Sequence, residues 1–132
     1  VEKNFGMNEL VRVGKFDVKI INAYNTKKVG ILGTETTNNY VVITIMVKNN
    51  SSKEKTLTSS NFVYYRGKNR YDISSQSLFV DGVADRFFVE ESLGAELTKT
   101  ITIVYEIPTI FLPTDYLLVK DFLSSEKIYL KK

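Results

Sequence analysis

Residues 40–49 read YVVITIMVKN, and from Val41 to Val47 every second side chain is apolar and β-branched. A period of two is the repeat of a strand with a buried face; a helix would repeat its apolar positions every three or four residues. Val41, Ile43, Ile45 and Val47 share one face, and Tyr40, Val42, Thr44, Met46 and Lys48 share the other. The second face is only partly polar, which predicts a central strand covered on both sides in places. The alternation returns in LTKTITIVYEIP, residues 97–108. There Ile101, Ile103, Tyr105 and Ile107 are expected inward and Thr100, Thr102 and Glu106 outward. Pro108 has no N–H to donate and should end the ladder. Both segments are expected at the centre of the fold, with 41–47 packing against 101–107 across a layered core.

Shorter strands surround these two. Residues 9–13 alternate weakly up to Gly14, and 15–25 clearly, with Phe16, Val18 and Ile20 inward. Residues 26–39 are turn-like. NNSSKEK is expected to reverse the chain after the central strand, with 56–66 as the return; 67–73 reads as a hairpin tip and short strand. A helical turn is possible near Ser77–Val80, whereas DRFFVEE favours a strand, and 114–122 and 126–132 close the chain as strands. Seven to nine short strands without an amphipathic helix predict an all-β, antiparallel β-sandwich, with a closed barrel as the alternative. All 132 residues fit one domain, residues 1–8 forming a leader or edge segment.

Composition narrows the chemistry. The chain has no His and no Cys, which removes the commonest general base, the commonest transition-metal ligand and every thiol reaction. A missing Cys is also compatible with export from a bacterium that does not rely on disulfides. Eighteen Lys and Arg are interspersed with fifteen Asp and Glu, for a net charge of +3. The only basic pairs are Lys27-Lys28 and Lys131-Lys132, so no nucleic-acid-binding face is expected. No phosphate-binding glycine pattern exists. The longest apolar runs fall far short of the ~20 residues that cross a bilayer. The chain opens on Val1, which fits a removed export signal or an arbitrary boundary.

Three stretches in succession, VVITIMVKNNSSKEKTL, NFVYYRGKNRYDI and ESLGAELTKTITIVYEIP, carry a family resemblance. Their order resembles the bacterial extracytoplasmic family known as domain of unknown function 4352, over residues 12–122. The matching positions are Val47, Asn49, Phe62, Tyr71, Gly94, Tyr105, Ile107 and Pro108; Leu93 stands where the family usually has Pro, and Tyr105 where it has Phe. The resemblance implies an immunoglobulin-like sandwich similar to mycobacterial immunoprotective secreted antigens, often carried by Gram-positive lipoproteins. It implies no catalytic residues.

Candidate sites are correspondingly few. Asp81, Asp85, Glu90 and Glu91 are the best oxygen donors for a hard cation, but their spacing matches no calcium loop, so no metal and no cofactor is expected. Asn49 and Asn50 fit a turn and fall in N-x-S sequons; Gly67 and Gly94 are expected at positive φ. Without His, a serine nucleophile would require a lysine base at S-x-x-K spacing, and Ser52-Lys53 and Ser125-Glu126-Lys127 are read as wrongly spaced for it. The adjacent rings Tyr64-Tyr65 and Phe87-Phe88 are more informative, because neighbours on a strand face opposite ways. One ring of each pair should enter the core and the other could bind at the surface. The expected function is non-enzymatic: an extracytoplasmic domain of a secreted or lipid-anchored protein that binds a protein or cell-envelope component. The alternatives are a carbohydrate-binding module using the exposed rings and a structural spacer.

Overall fold

A computed structural model describes residues 4–81, 86–87 and 89–132. Ten strands follow one another: β1 (Val11–Val13), β2 (Phe16–Thr26), β3 (Asn39–Asn49), β4 (Lys55–Thr58), β5 (Phe62–Arg66), β6 (Asn69–Tyr71), β7 (Glu90–Leu93), β8 (Thr98–Ile107), β9 (Tyr116–Asp121) and β10 (Ser124–Tyr129). Short 3-10 turns occupy Ser59–Asn61 and Ser75–Phe79. One sheet has the order β1-β2-β3-β8, the facing sheet β10-β9-β5-β6, and β4 pairs with β7 as a separate ribbon. All strand pairs are antiparallel. The molecule is the all-β, antiparallel sandwich that the periodicity predicts. Among the described residues there are ten strands rather than seven to nine, because the return expected over 56–66 is divided by the Ser59–Asn61 turn into β4 and β5.

Val41, Ile43, Ile45 and Val47 are fully buried, as are Ile101, Ile103 and Tyr105. The expected geometry between them needs correcting. Val41 lies beside Tyr105, Ile43 beside Ile103 and Ile45 beside Ile101, as register partners in one sheet. The layer opposite is supplied by Phe62, Tyr64, Leu117, Val119 and Ile128. The Tyr105 hydroxyl crosses this core to donate to the Phe62 carbonyl at 2.9 Å. That bond gives the tyrosine a use that phenylalanine lacks.

β3 is central, but β8 stands at the end of its sheet, and its edge is covered locally. Phe87 N–H donates to the Thr102 carbonyl, and Ser74 N–H to the Val104 carbonyl. The Ser77 hydroxyl accepts from Val104 N–H at 2.9 Å. Thr102, expected outward, is therefore buried. The outer face of β3 and β8 has its own small core of Val29, Tyr40, Val42, Val80 and Val104, roofed in part by the turn-rich 27–38 segment.

The stretch after β3 is not a hairpin. β4 does not pair with β3; it pairs with β7, so residues 50–54 carry the chain out of the first sheet. At the N-terminal side, Phe5 bridges Ile128 in parallel and Met7 is buried, which lays this segment along β10.

Candidate functional site

The most concentrated set of ionisable groups surrounds Asp115, which has no exposed surface. Its carboxylate accepts from Tyr64 Oη at 2.5 Å, Arg66 Nε at 3.0 Å, Arg66 Nη2 at 2.8 Å and Leu112 N–H at 3.0 Å. Burial alone would raise this carboxyl, but the bonds from Arg66, Tyr64 and Leu112 outweigh it and hold the group below its ordinary value. Burial, reinforced by the carboxylate, pushes the Tyr64 phenol far above its own. Arg66 also donates to Thr109 Oγ1 and the Ile110 carbonyl. The network ties the 109–115 loop to β5, with the Asp115 carboxylate fully buried at its centre.

Asp121 closes the opposite end of β9. Its Oδ2 accepts from Lys15 N–H at 2.7 Å and its Oδ1 from Lys55 Nζ at 2.8 Å. Gly14, at φ +59°, lets the β1–β2 turn approach: a Cβ there would lie 2.4 Å from Asp121 Oδ2.

Asn49 ends β3, as the 40–49 alternation predicts, but where a turn residue would meet solvent it is fully buried. Its Nδ2 donates to the carbonyls of Lys53, Leu93 and Gly94, and its Oδ1 accepts from the N–H and hydroxyl of Ser51. One amide thus holds together the exit from β3 and the entry to β8. Gly94 does not take positive φ; Glu96 does, at 63°, whereas Gly67 is at 58° as expected.

Of the four aromatic candidates, Tyr64 and Phe87 are core residues. Phe88 lies outside the described residues. Tyr65 is half-buried on the outer face of the second sheet, where it belongs to a row that the sequence reading missed. Tyr65 is the register partner of Tyr116, and Tyr116 of Tyr129, so three rings cross β5, β9 and β10 in line. Tyr65 and Tyr116 stack at 5.4 Å with an interplanar angle of 15°, and Tyr116 and Tyr129 sit 5.3 Å apart. Lys127 Nζ stands 5.1 Å from the Tyr116 ring and Lys131 Nζ 5.8 Å from the Tyr129 ring. Asn4, Pro113, Thr114, Tyr129 and Lys131 line a depression of 270 Å³ at the end of the row. Strand parity puts Lys120 and Lys127 on this face as well.

The remaining candidates do not converge. Asp81 Oδ2 accepts from Ile31 N–H, Glu91 pairs with Lys99 at 2.7 Å, and Asp85 lies outside the described residues. No group of three potential ligands is placed to hold a metal ion among the described residues. The serine–lysine reading needs correcting: Ser52 with Lys55 and Ser124 with Lys127 do have the S-x-x-K spacing. Lys55 is held by Asp121 and by the Phe16 ring at 5.0 Å, and Lys127 stands over Tyr116.

The fold defines an antiparallel β-sandwich whose best-connected polar groups are buried and whose outer sheet face carries a tyrosine–lysine row. The chain belongs to the family described as Domain of unknown function (DUF4352), whose model matches residues 5–128. No curated protein matches the sequence. Among solved structures, the yjhA protein of Bacillus subtilis has a TM-score of 0.74 at 13% identity, covering 96% of this chain and 99% of its own. A candidate lipoprotein of Bacillus subtilis, ycdA, has a TM-score of 0.63 at 14% identity over 92% of this chain. This chain spans only 38% of that protein. An uncharacterised β-sandwich protein of Clostridium difficile has a TM-score of 0.59 at 15% identity, covering 99% of this chain and 97% of its own. At these identities the likeness concerns the fold alone.

Proposed function

We propose that this chain is a non-enzymatic, extracytoplasmic binding domain of a bacterial lipoprotein or secreted protein, and that the Tyr65–Tyr116–Tyr129 row is its contact surface. The observation that carries the reading is the row itself. Three amphipathic rings in register, with Lys127 and Lys131 beside them, form an extended patch that the core does not need. Tyrosines of this kind supply contact area at low entropic cost and are enriched where proteins meet partners. The lysines on the same face suit a protein or envelope component carrying anionic groups. The absence of His and Cys and the burial of Asp115 support a role without catalysis. The lipoprotein neighbour supports display outside the cytoplasm.

Carbohydrate binding is the second reading, favoured by three rings in one row. Sugars stack on ring faces, however, and the faces of Tyr65 and Tyr116 are turned toward each other. A pull-down from a bacterial envelope extract, run with wild type and a Tyr116→Ser/Tyr129→Ser variant, tests the reading. A component retained by wild type and lost by the variant is expected. Equal capture by both rejects the row as the contact surface, and glycan-array hits abolished by the same variant would favour the sugar.

A further inference from the structure

The β9–β10 turn is built from residues that neither fold nor packing requires. Asp121 pairs with Ser124, leaving Phe122 and Leu123 as a two-residue hairpin loop. Phe122 sits at φ +54°, in the left-handed region that bulky residues avoid and that such turns normally fill with Gly, Asn or Asp. The two side chains are 93% and 89% exposed, the most exposed large apolar residues described. A strained backbone carrying a fully exposed Phe-Leu pair is the signature of residues kept for contact.

The surroundings of the tip say what it meets. Asp121, at its base, bonds Lys15 N–H and Lys55 Nζ, which places both lysines next to the hairpin. Lys120 precedes the tip, and Lys53 shares a depression with Lys15 and Lys55. Leu97, 57% exposed, belongs to the same end of the sandwich, because its carbonyl accepts from Asn49 N–H while Asn50 N–H reaches the Lys15 carbonyl. At this end Asp121 pairs with Lys55, Glu96 with Lys48 and Asp17 with Arg12, which leaves Lys15, Lys53 and Lys120 against Glu54 among the described residues. A convex apolar tip with a cationic collar matches a deformable, negatively charged surface, with apolar groups below the headgroups and ammonium groups at the phosphates.

We propose that the β9–β10 hairpin is a membrane-contact element: Phe122 and Leu123 enter the acyl boundary of an anionic bilayer while Lys15, Lys53 and Lys120 meet its headgroups. This site is separate from the tyrosine row, which crosses β9 at its other end. Held at its base by Asp121, the hairpin presents its tip without reorganisation of the sandwich.

The chain has no Trp, so a Leu123→Trp variant carries a single reporter. Vesicles containing phosphatidylglycerol should shift its emission to the blue, and pure phosphatidylcholine vesicles should do so far less. A Phe122→Gly/Leu123→Ser variant, suited to the turn's backbone, should lose about tenfold or more in affinity for the anionic vesicles in co-sedimentation. An Ile31→Ser/Leu32→Ser variant alters the other strongly exposed apolar pair, between β2 and β3 at the opposite end, and should bind like wild type. Unshifted Trp emission overturns the proposal. So does equal vesicle binding by wild type and the tip variant, which would mean adsorption through lysines alone. Capture of the tyrosine row's partner should be unchanged in the tip variant, so the two sites fail separately.

Discussion

Asp115 and Asp121 stand six positions apart on the inward face of the same β9 register, one at each end of the sandwich. Asp115, Leu117, Val119 and Asp121 alternate with the half-buried Tyr116, Leu118 and Lys120, so two carboxylates bracket two core residues. One gathers Tyr64 and Arg66 and seals the 109–115 loop; the other gathers Lys15 and Lys55 and seals the turns opposite. Polar groups close this core where apolar strands run out.

Asp115→Ala should destabilise the fold by about 3–5 kcal/mol, because it strands the Arg66 charge and the Tyr64 hydroxyl in a desolvated site. Urea unfolding measures it. The pH dependence has a definite sign. A carboxyl whose folded value is depressed contributes stability above its unfolded value, near 4, and loses that contribution as pH falls through the folded value. The gap between wild type and Asp115→Asn should therefore be largest near neutrality and narrow below about pH 4.

Asn49→Ala should cost about 3 kcal/mol, since the buried Leu93 carbonyl and the part-buried carbonyls of Lys53 and Gly94 lose their donor at once. Hydrogen exchange should show faster opening at the start of β4 and the start of β8, with β9 and β10 less affected.

Gly14→Ala should cost about 2 kcal/mol, through left-handed strain and a clash with Asp121 Oδ2. Gly67→Ala, also at positive φ but with open space around its Cβ, should cost less. Thermal melts of the two variants separate the clash from the strain.

Phe122→Gly should leave the fold intact and raise stability by up to about 1 kcal/mol, because relief of left-handed strain exceeds the added chain entropy of glycine. A fall in melting temperature would mean that the Phe122 ring packs against the sandwich.

The sandwich was legible in the sequence because β2, β3 and β8 each turn a continuous apolar face to the core by alternation, although the outer face of β3 and β8 is covered in part as well. What lay beyond reach was pairing. Periodicity says which face of residues 41–47 is buried, but not that Tyr105 and Ile103 lie beside it rather than across from it. The β4 segment looked like a hairpin return because its pairing with β7 and the Asn49 amide bonds to residues 44 and 45 positions away are both non-local. The tyrosine row is similarly non-local: Tyr65, Tyr116 and Tyr129 meet only once three strands are in register. Adjacency drew attention to Tyr64-Tyr65 and Phe87-Phe88, whereas cross-strand register made the surface. The parity of Asp115 and Asp121 was visible in residues 115–121, and an acid at each end of an inward-facing series was the available signal.

The central claim is that the outer face of β5, β9 and β10 meets the partner. Two-dimensional NMR of the labelled domain, titrated with a fractionated bacterial envelope preparation, tests it most directly. Amide shifts clustered at Tyr65, Tyr116, Lys127 and Tyr129, and absent when Tyr116 is replaced by serine, are the predicted result. Shifts confined to the β3–β8 sheet, or unchanged by that substitution, would contradict it.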